Sequence, residues 1–504
     1  MELLSSVAEG FSALLSLENL LILFLATLIG LLGGVIPGVS GPMMVVVFLP
    51  ITYAFEPTQA FILLTVIYAA SVYGGMVTAI LFRAPGTPES SMTVLDGYSM
   101  AQKGEAGRAL GVGILASGTG AIIATVAMIL LTPPLAALAM NFSSAEFFAI
   151  ALLGLSIVAS LSSGQVSKGI FGVGFGMLLA TVGNDPMTAT QRLTFNVPDL
   201  GAGLELIPVM IGLFAIPEVL RRSRLDTKIK FNTSYGKVEV WSRRNLTSVG
   251  PTAGRSGVIG TGIGILPGAG AVTAAILGYT QAVRFSRDKS QFGKGDPRGV
   301  AGPESANNAG AVGSLVPLFA LGIPGSATTA ILIGAFILHG FQPGPNLMTT
   351  QSAFVYTIFA AILVANVLAL VFAKPLIRVL INVLNIPYAL LGPAIVIFCI
   401  IGSYSLRNSV FDVWVMLLFG IIGYILMKYN FPVGTIVLGF VLGPIAESSF
   451  RRALMMSGGD ATVFFTRPIS LTIILIAIAI LVCPLLKPLV RQVLKPKTPT
   501  SLQA

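Results

Sequence analysis

The stretch Gly33–Gly41, GGVIPGVSG, packs one proline and four glycines into nine residues of an otherwise apolar run. Proline removes a helical hydrogen bond, and each glycine costs a helix about 1 kcal/mol relative to alanine. A helix entering this stretch must stop there. Gly262–Gly270, GIGILPGAG, repeats the pattern in similar surroundings. The surroundings of these two breaks decide the fold.

Those surroundings are membrane-like. Of the 504 residues, 55% are hydrophobic and only 10% charged, with mean hydropathy +0.89. A soluble domain is about one-quarter charged. Continuous apolar runs such as LTIILIAIAILVCPLL replace the alternating pattern of a barrel strand, so the class is an all-α polytopic membrane protein. Cys399 and Cys483 lie in apolar runs and His339 is the only histidine, which disfavours a zinc site or a disulfide framework. No cofactor is expected. The net charge of +10 is read as loops on the cytoplasmic side rather than as a nucleic-acid surface.

Residues 221–244, RRSRLDTKIKFNTSYGKVEVWSRR, hold eight Lys/Arg against two acids and anchor the topology in the cytoplasm. Counting back, apolar segments at 205–220, 169–183, 145–161, 110–133 and 57–82 place the loop with Arg83, Lys103 and Arg108 inside. The acidic N-terminus falls outside. Both ends of residues 20–55 then lie outside, so this segment enters and leaves on one side, turning at IPGVSG. Counting forward, residues 251–283 start and end inside, since the following RFSRDKSQFGKGDPR is basic. Crossings follow near 300–340, 353–373, 387–402, 409–427, 432–447 and 468–486. Arg192, Arg451 and Arg452 land outside, against the rule.

The halves repeat. Pro37-Gly38 and Pro267-Gly268 lie 230 positions apart; Pro85 and Pro324, in APGT and IPGS, lie 239 apart. NDP at 184 resembles NFP at 430, and PEVLRR at 217 resembles AESSFRR at 446. Each half reads as a hairpin plus five crossings, so the second is inverted. The expected organisation has two inverted-topology repeats with Pro-Gly-broken helices and re-entrant hairpins, in about 11–12 membrane segments. It divides into an amphipathic surface helix (1–18), a first repeat (19–222), a cytoplasmic linker (223–250), a second repeat (251–456) and an extra helix with a basic tail (457–504).

Inverted repeats with matched breaks are the pattern of secondary transporters. Each arm after a break offers free N–H groups and a positive dipole end, which suits a carboxylate. The expected substrate ligands are Gly38, Ser40, Gly41, Pro85, Gly86, Thr87, Gly268, Gly270, Asn307, Asn308, Gly325 and Ser326, with Thr328 and Thr329 adding hydroxyls. Asn307, Asn308 and Glu304 are candidates for a coupling cation, as are carbonyls near Pro37 and Pro267; neutral oxygens favour Na⁺, and the acids keep H⁺ as the alternative. Asn307 and Asn308 can equally be helix-packing glue. Glu89 and Asp96 are read either as proton carriers or as charges at the cytoplasmic mouth, Arg83 either as a counter-charge or as a snorkelling surface residue, and His339 as structural. The hairpin tips are expected to meet near the midplane. An ion channel is the alternative function, although a channel wants a continuous pore. An enzyme would need a nucleophile–base pair or metal ligands, and the sequence supplies neither.

Four stretches, GLLGGVIPGVSG, APGTPESSMTVLDGYSMAQKGEAGRAL, FGKGDPRGVAGPESANNAGAVGSLVPLFALGIPGS and ILHGFQPGPNL, together resemble the large membrane subunit of the bacterial tripartite tricarboxylate transporter family. The likeness runs from residue 20 to 450. It implies ion-gradient-driven import of a di- or tricarboxylate across the bacterial inner membrane, with a small membrane subunit and a periplasmic binding protein as partners. It marks Gly38, Gly41, Gly268, Gly270, Pro85, Gly86, Asn307, Asn308, Pro324, Gly325 and Ser326 as the site. The absence of a GxxxxGK[ST] loop agrees with a carrier not driven by ATP. Arg83 departs from the family pattern, where a neutral polar residue such as Asn is expected, as does Ser99, where Pro is usual.

Overall fold

The computed structural model describes residues 2–160, 166–223, 236–383 and 388–493. Part of the basic linker and the tail lysines Lys495 and Lys497 lie outside the described residues.

The first half runs α1 (Glu2–Leu14), α2 (Leu17–Val35), α3 (Gly41–Phe48), α4 (Pro57–Phe82), α5 (Thr93–Gln102), α6 (Ala106–Ala139), α7 (Ser144–Ser160), α8 (Val166–Ala180), α9 (Pro198–Gly201) and α10 (Leu206–Ser223). Short 3-10 turns cover Leu49–Ala54 and Pro88–Ser90, and β1 (Gly183–Asn184) pairs antiparallel with β2 (Gln191–Arg192). The second half runs α11 (Arg243–Ile265), α12 (Gly270–Arg284), α13 (Pro297–Gly313), α14 (Leu315–Leu321), α15 (Ala327–Leu338), α16 (Pro345–Thr350), α17 (Ser352–Val383), α18 (Tyr388–Ser405), α19 (Val410–Lys428), α20 (Val433–Met456), α21 (Val463–Thr466) and α22 (Pro468–Val493). The architecture is all-α, and six of the described helices, among them α4, α6 and α17, are long and apolar enough to cross a membrane. The reading by charge misses α5, which packs on α4, α6 and α13 where a loop was expected.

Contacts between distant loops test the topology independently. Residues assigned to the linker face meet one another: Lys103 Nζ donates to the Lys294 carbonyl (2.5 Å), Lys168 Nζ to the Tyr429 carbonyl (2.8 Å), and Arg108 Nε to Asn245 Oδ1 (3.5 Å). Residues assigned to the other face do the same: Gln59 with Glu18 (3.0 Å), His339 with Thr52 (3.2 Å), Arg467 with Glu146 (2.6 Å) and Arg407 with Glu205 (3.4 Å). Glu18 and Thr52 flank α2–α3. Gln59, which bonds Glu18, follows Thr52 by seven residues, so the two ends of α2–α3 lie near each other, as the expected hairpin requires.

Two of the three misplaced arginines are also explained. Arg192 and Arg451 both pair with Asp185 and Glu447, so the charges in this cluster cancel. Burial opposes the charge of Asp185, but the Met187 amide together with Arg451, Thr188 and Arg192 holds its carboxyl well below the usual aspartate range. The stability this adds is in place above that range and is lost only as the pH falls below it. Arg452 stays exposed, a true exception to the rule.

Glycine sets the helix packing. A Cβ on Gly30 would lie 2.6 Å from Ala70 Cβ, and one on Gly74 would lie 2.5 Å from the Leu31 carbonyl, so α2 and α4 touch backbone to backbone. In the second repeat Gly264 and Gly310 do the same for α11 and α13. Gly30-xxx-Gly34 and Gly260-xxx-Gly264, again 230 apart, are small-residue packing motifs. The N-terminal helix α1 packs on α17, with Leu14 buried.

Candidate functional site

Each repeat folds its second break back onto its own long helix. After α4 the chain turns at Arg83 and returns until the Gly86 amide donates to the Gly75 carbonyl (3.1 Å). After α14 it turns at Gly322 and brings Gly325 against Ser314, where an added Cβ would lie 2.5 Å from the Ser314 carbonyl. Gly75/Ser314, Arg83/Gly322 and Gly86/Gly325 are all 239 apart, so the register read from the prolines holds in space.

The hairpin tips then dock on these returns. The Gly38 amide donates to the Gly86 carbonyl (3.1 Å), and the Gly268 amide to the Gly325 carbonyl (2.9 Å). Both tip glycines have positive φ, +86° and +80°, which glycine adopts at little cost. Each tip is thus tied to the second break of its own repeat. This differs from the expected tip-to-tip meeting. The reason is that a polar backbone turn inside apolar packing needs another broken backbone as its partner. The repeats meet instead through the exit arms: α3 packs on α15, and α12 on the Pro88–Ser90 turn.

Side chains complete the crossing. Tyr68 on α4 lies 3.4 Å from both Ser314 Oγ and Ser326 Oγ of the second repeat. At the matched position on α13, Asn307 Nδ2 donates to the Glu89 carbonyl of the first (3.2 Å). Asn308 Nδ2 fixes Asn307 by donating to its Oδ1 (2.8 Å) and bonds the Glu304 carbonyl (3.0 Å). Ser326 caps α15 with Thr329 in a reciprocal capping box. Ser40 caps α3, and Gly41 faces Tyr68, leaving no room for a Cβ closer than 3.2 Å. Gly270 opens α12 at φ +65° beside open space. Pro85 and Pro324 each precede the glycine that docks a tip.

Glu304 is fully buried, with Thr93 Oγ1 donating to one carboxylate oxygen (2.5 Å) and Ser117 Oγ to the other (3.1 Å). Ser117 lies in no motif, and Thr93, although inside the stretch that begins at APGT, carries nothing in the sequence to mark it as a partner of Glu304. Asp96 accepts from the Gly295 and Asp296 amides (2.8 and 2.9 Å) and from Tyr279, holding a loop on the linker face rather than lining the breaks.

Arg83 is exposed, with its guanidinium over the Tyr98 ring at 5.9 Å. Its φ of +56° matches the +71° of Gly322. The position closes α4 in the left-handed conformation, which favours Gly or Asn over Arg. Replacing Arg83 with Gly is expected to raise thermal stability by a few tenths to about 1 kcal/mol and to leave uptake unchanged. A large fall in uptake would place Arg83 in the ligand path.

A surface pocket lined by Asp185, Arg192, Glu447 and Arg451 opens on the face opposite the linker. Its cations and acids pair internally, so it is not where the breaks put their chemistry.

Comparison with known proteins gives one family and two relatives. The tripartite tricarboxylate transporter TctA family matches residues 20–438. An uncharacterized 52.8 kDa protein in the TAR-I ttuC' 3' region of Agrobacterium vitis is 38% identical over 487 residues, 96% of this chain and 97% of that protein. An uncharacterized protein in the TAR-II ttuC' 3' region of the same organism is 44% identical over 227 residues, 45% of this chain and 94% of that protein. No solved structure matches the chain significantly.

Proposed function

The chain belongs to the tripartite tricarboxylate transporter TctA family, and from that premise we propose that it is the ion-coupled membrane carrier of an organic di- or tricarboxylate. A periplasmic binding protein delivers the substrate, and a small membrane subunit completes the assembly. The basic linker lies in the cytoplasm, the N-terminus outside, and the membrane is the bacterial inner one. Transport is by alternating access.

One observation carries this reading. Both pairs of breaks lie in buried, cross-repeat surroundings, with backbone N–H groups, hydroxyls and amides gathered where lipid cannot satisfy them. A channel would need these groups to ring a continuous pore. Here the two tips enter from opposite faces and each closes on a return loop.

The test is uptake of labelled di- and tricarboxylates into vesicles holding the chain and its small subunit, with the binding protein added and Na⁺ and pH gradients imposed separately. Saturable uptake that needs the binding protein and one gradient is expected. Ser326→Ala removes the cap of α15 and is expected to lower uptake at least tenfold, with the protein still in the membrane. Flux that neither saturates nor needs the binding protein would mean a channel.

A further inference from the structure

The two breaks match in backbone but not in chemistry. At the second break, Ser314, Ser326, Thr328 and Thr329 are neutral, and Ser314, Ser326 and Thr329 bond one another or Tyr68. At the first break Glu89 stands where the second has Thr328. Glu304 faces the first break from α13, whereas its counterpart on α4 is Thr65, which bonds back to the Phe61 carbonyl of its own helix. Both acids therefore gather at one break. No lysine or arginine pairs with either among the described residues.

Polar atoms without partners collect at the same place. Thr87 Oγ1, Glu89 Oε2, Ser90 Oγ and Tyr73 OH are buried with no partner at hydrogen-bond distance and angle, with residue exposures of 1%, 8%, 0% and 1%, although Thr87 lies beside the Glu89 carboxyl and Ser90 beside that of Glu304. The Thr87 and Ser90 hydroxyls converge on the space left by Gly75, where a Cβ would overlap the first and lie 2.7 Å from the second. The Ser90 hydroxyl also faces the Glu304 carboxylate. A native interior rarely leaves three such atoms, those of Thr87, Glu89 and Ser90, without well-formed hydrogen bonds in one turn. The Thr93 and Ser117 hydroxyls spend their protons on Glu304, which leaves their oxygen lone pairs free.

We propose that the two breaks divide the labour. The first-repeat break holds a dehydrated monovalent cation of the Na⁺ class, on Glu304, Thr87, Ser90 and Thr93. The second-repeat break, with Ser326 and the start of α15, takes the substrate carboxylate. Neutral hydroxyl oxygens with one or two carboxylates suit a hard monovalent ion, and the described residues bring no three His, Cys, Asp or Glu together for a transition metal. The carboxylate assignment rests on the transport reading above; the cation site does not.

The experiment is binding of ²²Na⁺ to the purified chain in detergent, with no carboxylate present. Saturable binding that excess unlabelled Na⁺ displaces and K⁺ does not is expected. Ser90→Ala removes one small hydroxyl and leaves the Thr93 and Ser117 bonds to Glu304 in place, so it should fold, and it is expected to weaken binding about tenfold. Glu304→Gln is expected to abolish it. Ser326→Ala should weaken carboxylate binding and leave ²²Na⁺ binding within about twofold. No saturable ²²Na⁺ binding, or binding that Ser90→Ala and Glu304→Gln leave intact, overturns the proposal. So does equal loss in Ser326→Ala and Ser90→Ala, which would mean one undivided site. Should no carboxylate be taken up while Glu304-dependent ²²Na⁺ binding persists, the transport reading fails and the cation site stands.

Discussion

Gly86→Ala and Gly325→Ala are each expected to abolish uptake, and to do so alike. A methyl group on Gly86 would overlap the Gly34 carbonyl and lie 2.8 Å from Gly75 Cα; on Gly325 it would lie 2.5 Å from the Ser314 carbonyl and 2.8 Å from its Cα. Both obstacles are backbone, which cannot swing aside as a side chain does. Overpacking of this kind costs about 1–3 kcal/mol or more. The cost also falls on the carbonyl that accepts the hairpin tip, so the Gly38 and Gly268 bonds go with it. Gly174→Ala is the control. It lies on an exposed helical face with nothing within 4 Å of the added carbon, and should be neutral or slightly stabilising. Uptake in vesicles and melting in detergent check all three. Normal uptake in Gly86→Ala would mean that the tip does not need its dock.

Asn307→Ala is expected to have the second large effect. The side chain is wholly buried, donates to the Glu89 carbonyl and accepts from Asn308. Alanine leaves the buried Glu89 carbonyl and one N–H of the Asn308 amide unpaired, a loss of about 1–3 kcal/mol, which corresponds to roughly five- to 150-fold in function. The loss lands on function because the freed carbonyl belongs to the turn that carries Thr87, Glu89 and Ser90. Asn307→Asp keeps the acceptor and removes the donor, so it should not rescue uptake. Membrane abundance should stay near wild type in both variants, and wild-type uptake in Asn307→Ala would remove this residue from the site.

Much of this was legible in the sequence, for local reasons. A Pro-Gly pair with further glycine beside it marks each break, whereas Pro133, Pro134, Pro217 and Pro444 sit inside continuous helices, and loop charge suggests the face. The crossings counted from charge fall on α4, α6–α8, α10, α17–α20 and α22, whereas the one expected near 300–340 is divided among α13, α14 and α15. The 230 and 239 registers needed only matched dipeptides. What could not be read was which distant side chains pair with one another. Thr93 and Ser117 reach Glu304 across 211 and 187 residues, and single hydroxyls in a membrane helix look alike whether or not they have a partner. The docking of each tip on its own repeat was hidden for another reason, since backbone N–H and carbonyl groups are the same at every residue. The Gly-xxx-Gly pairs were visible, and point to the helix faces that touch. Arg83 was misleading because its charge drew attention, whereas its backbone angle is what the position uses.

The crossing of Tyr68 to Ser326 and of Asn307 to Glu89 has a consequence for the size of the working unit. Neither half satisfies its own break, since Ser314 and Ser326 take Tyr68 from the first repeat and the Glu89 carbonyl takes Asn307 from the second. A separately expressed half, however well inserted, would leave these buried groups without their partners. Only the other half lying beside it could supply them, so the smallest unit in which these bonds close is expected to be the pair.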